Sequence, residues 1–93
     1  MSVQYETMVV YSVKNGEEAA QELAEKFKTM ITENGTLDSV DDWGKRKLAY
    51  PINDEEDGYY VLYTHTCEPE FPAELERVMG ITDGVLRSLI TRK

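Results

Sequence analysis

Val3, Tyr5, Thr7, Val9 and Tyr11 alternate with Gln4, Glu6, Met8 and Val10 over the first residues of the chain. A period of two is that of an extended strand. Met8 and Val10 make the second side substantially apolar as well, which predicts a first strand over 1–11 with neighbours rather than an edge. After Asn15-Gly16-Glu17-Glu18 the period changes. Ala20, Leu23, Ala24, Phe27, Met30 and Ile31 recur at the three- and four-residue spacing of a single helical face. Asn15 is placed to cap this helix, with Glu18 at the reciprocal capping-box position. Asn34-Gly35 is placed to end it, the glycine taking a left-handed conformation.

Thr36 to Ile52 reads as a second strand, long and mostly polar. Asp38, Asp41, Asp42, Lys45, Arg46 and Lys47 are not tolerable together on a centrally buried strand, and charge along an edge discourages unwanted pairing. Gly44 suits a bulge, and Pro51, lacking an N–H, suits an edge or a strand end. Asp54-Glu55-Glu56-Asp57 reads as a solvated turn into a third strand over 58–67, rich in β-branched and aromatic residues. Glu70-Phe71-Pro72 opens a second helix, with proline in its first turn. Leu75, Val78 and Met79 form its apolar face, and Gly80 is expected to stop it. Asp83-Gly84 turns the chain into a last strand over 85–92.

The order β-α-β-β-α-β is the ferredoxin-like, α+β arrangement: a four-stranded antiparallel sheet with two helices on one face. Residues 1–93 form one such domain. Right-handed crossovers put the strands in the order fourth, first, third, second. The polar second strand then falls at an edge, as its composition requires independently.

Charge sharpens the picture. The chain has 18 acidic and 10 basic side chains, a formal net charge of −8. Such a surface repels polyanions over most of its area and argues against sequence-independent nucleic-acid binding. Three of the ten cations nevertheless stand together at Lys45-Arg46-Lys47, bounded by Trp43 and Tyr50. No apolar run approaches the ~18–20 residues needed to cross a bilayer, and no secretory signal is visible. Cys67 is the single cysteine and closes no intramolecular disulfide, which fits a reducing cytosol. His65, two residues before it, shares its strand face but lacks a third group to orient a catalytic pair.

On a regular strand Arg46, Leu48 and Tyr50 share one face while Lys45, Lys47 and Ala49 share the other. The triplet acts as one patch only if Gly44 bends the strand. Trp43, Tyr50 and Tyr5 are each open between packing and contact. Glu6 is expected to pair with Arg87 or Arg92 on the adjacent last strand. A small enzyme of this topology, such as an acyl-phosphate hydrolase, needs an arginine-anchored phosphate loop, which Val13-Lys14-Asn15-Gly16 does not supply. Base-stacking rings of the RNA-recognition type are not patterned on the third strand. The remaining alternative is a protein-only interaction module that uses an exposed edge strand for β-addition.

The string Trp43-Gly44-Lys45-Arg46-Lys47-Leu48-Ala49-Tyr50-Pro51-Ile52, the acidic turn and Gly58-Tyr59-Tyr60 resemble the signature of one family, the sixth ribosomal protein of the bacterial small subunit. Tyr5-Glu6 and the stretch from Gly80-Ile81-Thr82-Asp83 through Val85-Leu86-Arg87 match at the corresponding places, so the resemblance spans essentially the whole chain. It implies a non-enzymatic, cytoplasmic constituent of the small ribosomal subunit, with no cofactor, no metal, no small-molecule substrate and no membrane. It also implies binding to the central domain of small-subunit ribosomal RNA, paired with the eighteenth ribosomal protein of that subunit. The RNA-binding residues carried over are Lys45, Arg46, Lys47, Tyr50, Tyr5, Arg87, Arg92 and Lys93. Where many members have a cation just before the tyrosine of the first strand, this chain has Gln4.

Overall fold

The computed structural model describes residues 2–52 and 55–93. Its elements are β1 (Val3–Ser12), α1 (Glu17–Glu33), β2 (Gly35–Ile52), β3 (Glu55–Cys67), α2 (Phe71–Ile81) and β4 (Val85–Arg92). The strands lie in the order β2-β3-β1-β4 and every neighbouring pair is antiparallel. This is the ferredoxin-like α+β topology read from the pattern, with β2 at one edge and β4 at the other.

One face of the sheet is covered by both helices. Tyr5, Val9 and Tyr11 of β1 join Tyr59, Val61, Tyr63 and Cys67 of β3 in a single core, with Ala20, Phe27 and Ile31 of α1 and Phe71, Leu75 and Met79 of α2. Burying each large apolar side chain of this set stabilises the fold by roughly 1.5–3 kcal/mol. The even-numbered residues of β1 face the other way, onto a sheet surface that no helix covers. Seven of the 18 acidic side chains lie exposed on the helices: Glu17, Glu18, Glu22, Glu25 and Glu33 of α1, and Glu74 and Glu76 of α2.

Five local expectations differ from the structure. Gly16, not Asn15, is the N-cap of α1 and no side chain caps the helix, so Glu17 and Glu18 meet the helix dipole alone. Gly35 does not close the helix in a left-handed conformation; positive φ occurs at Gly16, Gly44 and Gly84. Gly35 instead begins β2 in close approach to β3, where a Cβ would lie 2.3 Å from the Thr66 carbonyl oxygen. Gly80 lies inside α2, which runs on to Ile81 before Thr82 takes an extended conformation. The acidic run is not a turn throughout: Glu55, Glu56 and Asp57 belong to β3, while Asp54 lies outside the described residues. Glu6 stands opposite Thr64 and Thr91 rather than an arginine. The ion pair seen among the described residues joins Glu74 to Arg77 on α2.

Candidate nucleic-acid interface

The open face of the sheet acquires its character from two of the three irregularities in the pairing of β2 with β3. At the first, the pairing with β3 shifts between Asp42 and Gly44. Gly44 has φ +74°, a conformation that favours glycine, and its N–H is accepted by Asp42 Oδ1 at 2.9 Å. The other Asp42 oxygen accepts the Tyr59 hydroxyl, and that bond is the leading cause of a raised Tyr59 pKa. Asp42 thereby fastens the bulge to the neighbouring strand.

The bulge changes which side chains share a face. Residues three apart on a regular strand point to opposite sides. Here Trp43 and Arg46 lie together: the Arg46 guanidinium sits 5.4 Å from the Trp43 ring centre, and Arg46 Nε donates to the Trp43 carbonyl at 3.3 Å. The other ring neighbour of Trp43 is Tyr60, stacked at 6.4 Å with 12° between planes. Trp43 is 39% exposed.

The second irregularity lies between Lys47, opposite Asp57, and Ile52, opposite Glu55. Residues 48–51 of β2 thus stand against Glu56 alone. The surplus chain folds over the open face, where Leu48 is buried and packs above Gly58 beside Val10. Leu48, Ala49 and Tyr50 all line one hollow of ≈ 210 Å³ with Met8, Val10, Ile52, Tyr60, Arg87 and Leu89. The expected alternation, with Ala49 opposite Leu48 and Tyr50, therefore fails here. At the rim Arg87 Nη1 donates to the Tyr50 hydroxyl at 3.0 Å, across 37 positions of sequence.

The structure brings Arg46, Tyr50 and Arg87 to this one region, with Tyr60 shared between the stack and the hollow. Lys45 stands opposite Tyr59 and Lys47 opposite Asp57, which gives both the other side of β2; each is exposed. Tyr5 is a core residue, its ring 6.1 Å from that of His65. Arg92 stands opposite Tyr5, while Arg87 stands opposite Val10. The intervening stretch of β1 separates these two cations by roughly 16 Å at ~3.3 Å per residue. Lys93 continues from Arg92, its N–H donating to the Gln4 carbonyl at 2.9 Å.

Gln4 itself is engaged. Its amide donates to Asp38 Oδ2 at 3.1 Å and the Thr66 hydroxyl donates to the same oxygen at 2.7 Å. These two bonds, the Thr66 one first, hold the Asp38 carboxyl below its usual range. Three strands are laced together here, and the amide at this position serves that lacing.

Residues that the pattern did not single out as functional are Met8, Val10, Leu48, Tyr60 and Leu89, the floor and walls of the hollow. The signal was the apolar second side of β1, which marks an uncovered sheet face as well as a central strand. His65 is fully buried, with Nε2 2.7 Å from the Thr7 hydroxyl and Nδ1 without a partner. Burial holds its pKa below the ordinary value, against the opposing field of Asp38. It sits away from solvent and serves packing. Among the described residues no His, Cys, Asp and Glu cluster suits a metal ion, and no helix is long and apolar enough to cross a membrane.

Comparison with known proteins gives a consistent picture. The family model described as Ribosomal protein S6 matches residues 4–92. The chain is 52% identical over 90 residues to small ribosomal subunit protein bS6 of Clostridium perfringens, covering 96% of this chain and 95% of that protein. It is 53% identical over 89 residues to the bS6 protein of Caldanaerobacter subterraneus subsp. tengcongensis, covering 95% and 94%. The crystal structure of 30S ribosomal protein S6 from Thermotoga maritima superposes with a TM-score of 0.92 at 29% identity, covering 100% of this chain and 89% of that one.

Proposed function

We propose that this chain, which belongs to the ribosomal protein S6 family and is a non-enzymatic constituent of the small ribosomal subunit, binds the central domain of small-subunit ribosomal RNA jointly with the eighteenth ribosomal protein of that subunit. One observation carries this reading: in a chain of net charge −8, Tyr50 and Arg87 meet at an uncovered apolar hollow, and Arg46 lies on the same sheet face against Trp43, which stacks on Tyr60 of the hollow's wall. The helices present seven exposed carboxylates, so the open sheet face with Arg46 and Arg87 is the more favourable approach for a polyanion. Arg46 and Arg87 on this face offer forked hydrogen bonds to phosphate. Lys45 and Lys47 add cations on the far side of β2, and Arg92 with Lys93 supply a second contact at the other end of the sheet. Tyr5 contributes as a core residue that holds β1 in place.

The hollow suits an apolar anchor from the partner protein better than it suits RNA. An acidic protein with few cations binds RNA weakly alone, so the partner is needed for tight association. Footprinting of a central-domain RNA fragment, with and without the partner, tests the reading. Protection is expected with wild-type protein and partner together and is expected to weaken in the Lys45/Arg46/Lys47 triple alanine variant. Equal protection by wild type and triple variant sinks the assignment of these cations.

A further inference from the structure

We infer that Trp43 is the positioning residue for Arg46: its ring and its carbonyl fix the guanidinium before RNA arrives, so that the two Nη groups are free to fork a phosphate. This rests on the reading that Arg46 contacts RNA, and it adds a role for a residue that carries no charge. Arg46 is exposed, and an exposed arginine ordinarily wanders among many rotamers that binding must freeze. Here the Nε–H is already spent on the Trp43 carbonyl and the guanidinium carbon sits over the indole, 5.4 Å from its ring centre. Among the described residues neither Nη group has a protein partner. The guanidinium is therefore held by the parts of it that a phosphate does not need.

The arrangement is built from below. The Gly44 bulge puts residues 43 and 46 on one face, and the Asp42 carboxylate secures the bulge through the Gly44 N–H and the Tyr59 hydroxyl. Tyr60 stacks on the indole and stops it from turning. Each layer orders the next: Tyr60 the ring, the ring the guanidinium. An indole committed in this way to Tyr60 and Arg46 is a poor platform for a nucleobase, which separates positioning from direct stacking.

The test measures affinity for the central-domain RNA fragment, with partner protein present and across a salt series. The variants are Trp43→Leu, Trp43→Phe, Arg46→Ala and the Trp43→Leu/Arg46→Ala double. Trp43→Leu is expected to weaken binding by about two- to five-fold with the salt slope unchanged, since the cation is kept but no longer held. Trp43→Phe, which retains a ring face, recovers most of the loss. In the Arg46→Ala background the leucine substitution costs nothing further. No loss with Trp43→Leu, no rescue by phenylalanine, or an equal loss in the Arg46→Ala background overturns the inference. The last result means that the indole itself touches RNA or the partner.

If Arg46→Ala binds as tightly as wild type, the RNA reading of Arg46 fails and the positioning role fails with it. A measurement on the free wild-type protein needs no variant to fold: ¹⁵N relaxation of the Arg46 Nε is expected to show less motion than that of Arg92. Equal mobility overturns the inference whatever the RNA assay gives.

Discussion

The hydroxyls of Tyr11 and Tyr63 meet at 2.8 Å in the buried core, and Tyr63 donates its own proton to the Ala24 carbonyl at 2.9 Å. A phenol has one proton to give, so Tyr11 is the donor to Tyr63 and the pair forms a directional chain from β1 through β3 to α1. Removing the two hydroxyls is therefore unequal. Tyr11→Phe deletes the outer donor and is expected to cost ~1 kcal/mol, whereas Tyr63→Phe also strands the Tyr11 proton and is expected to cost ~2–3 kcal/mol. Urea unfolding of the two variants checks the order; Tyr11→Phe proving the costlier would show that the chain runs the other way.

The same pair sets an alkaline limit. Burial pushes the Tyr63 phenol up to about 12 and also raises that of Tyr11. An unfolded tyrosine ionises near pH ~10. Between these values the unfolded chain gives up the proton while the folded chain keeps it. Stability is fully present below pH ~10 and is expected to fall as pH rises towards about 12. Unfolding free energy measured from pH 9 to 12 should show a smaller decline in Tyr63→Phe than in wild type.

His65 predicts a limit of the opposite sign on the acid side. It is the chain's single histidine, fully buried between Tyr5 and Phe71 with its Nδ1 unpartnered, and burial lowers its pKa. The unfolded histidine takes up a proton near pH ~6.5 while the folded one resists, so stability is complete above that pH and falls below it. The 18 carboxylates ordinarily titrate lower, near pH ~4, which leaves the interval from about pH 6.5 to 5 to the imidazole. His65→Leu is expected to flatten the stability profile there. A slope as steep as that of wild type would assign the effect to other groups.

Much of this architecture is legible in the sequence because it rests on period. The alternation of Val3 to Tyr11 and the helical stripe from Ala20 to Ile31 each report a face that must be buried, and burial dictates both element and layer. What is not legible depends on two distant segments at once. Residues 48–51 leave the alternation because β3 offers them Glu56 alone, and no feature of β2 reveals that count. The Tyr50–Arg87 contact likewise requires the registers of three strand pairs. The cationic string and its division into Arg46 on one side and Lys45 and Lys47 on the other follow from alternation, but the placing of Trp43 on the Arg46 face came only with the bulge at Gly44.

Two glycines separate close approach from mere permissiveness. At Gly35 a Cβ would meet the Thr66 carbonyl oxygen at 2.3 Å and Cys67 Cβ at 2.9 Å, backbone and strand that cannot swing aside. Gly35→Ala is expected to cost ~2 kcal/mol or more by parting β2 from β3. Gly80, inside α2, has nothing within 4 Å of its would-be Cβ and no positive φ. Gly80→Ala is expected to stabilise by about 0.4–1 kcal/mol by restricting the unfolded chain. Thermal or urea unfolding of both variants reads the signs, and a destabilising Gly80→Ala would restore glycine as a required helix stop.

The open face offers two separable ways to weaken assembly. Leu89 is 60% exposed on the wall of the hollow, so replacing it should leave folding within about 0.5 kcal/mol of wild type. A carboxylate there makes the hollow unfit for an apolar anchor, and Leu89→Asp is expected to weaken partner binding tenfold or more in calorimetry without RNA. Arg46→Ala with Arg87→Ala removes charge from the open face but leaves the hollow's apolar walls. That pair is expected to bind the partner nearly as before, to bind RNA more weakly, and to lower the slope of log K against log salt by roughly one to two units. The two effects differ in kind, because apolar burial responds little to salt and phosphate neutralisation responds strongly. Should the arginine pair instead abolish partner binding with the RNA salt slope unchanged, the rim belongs to the protein partner, and the phosphate contacts lie with Lys45 and Lys47 on the far side of β2.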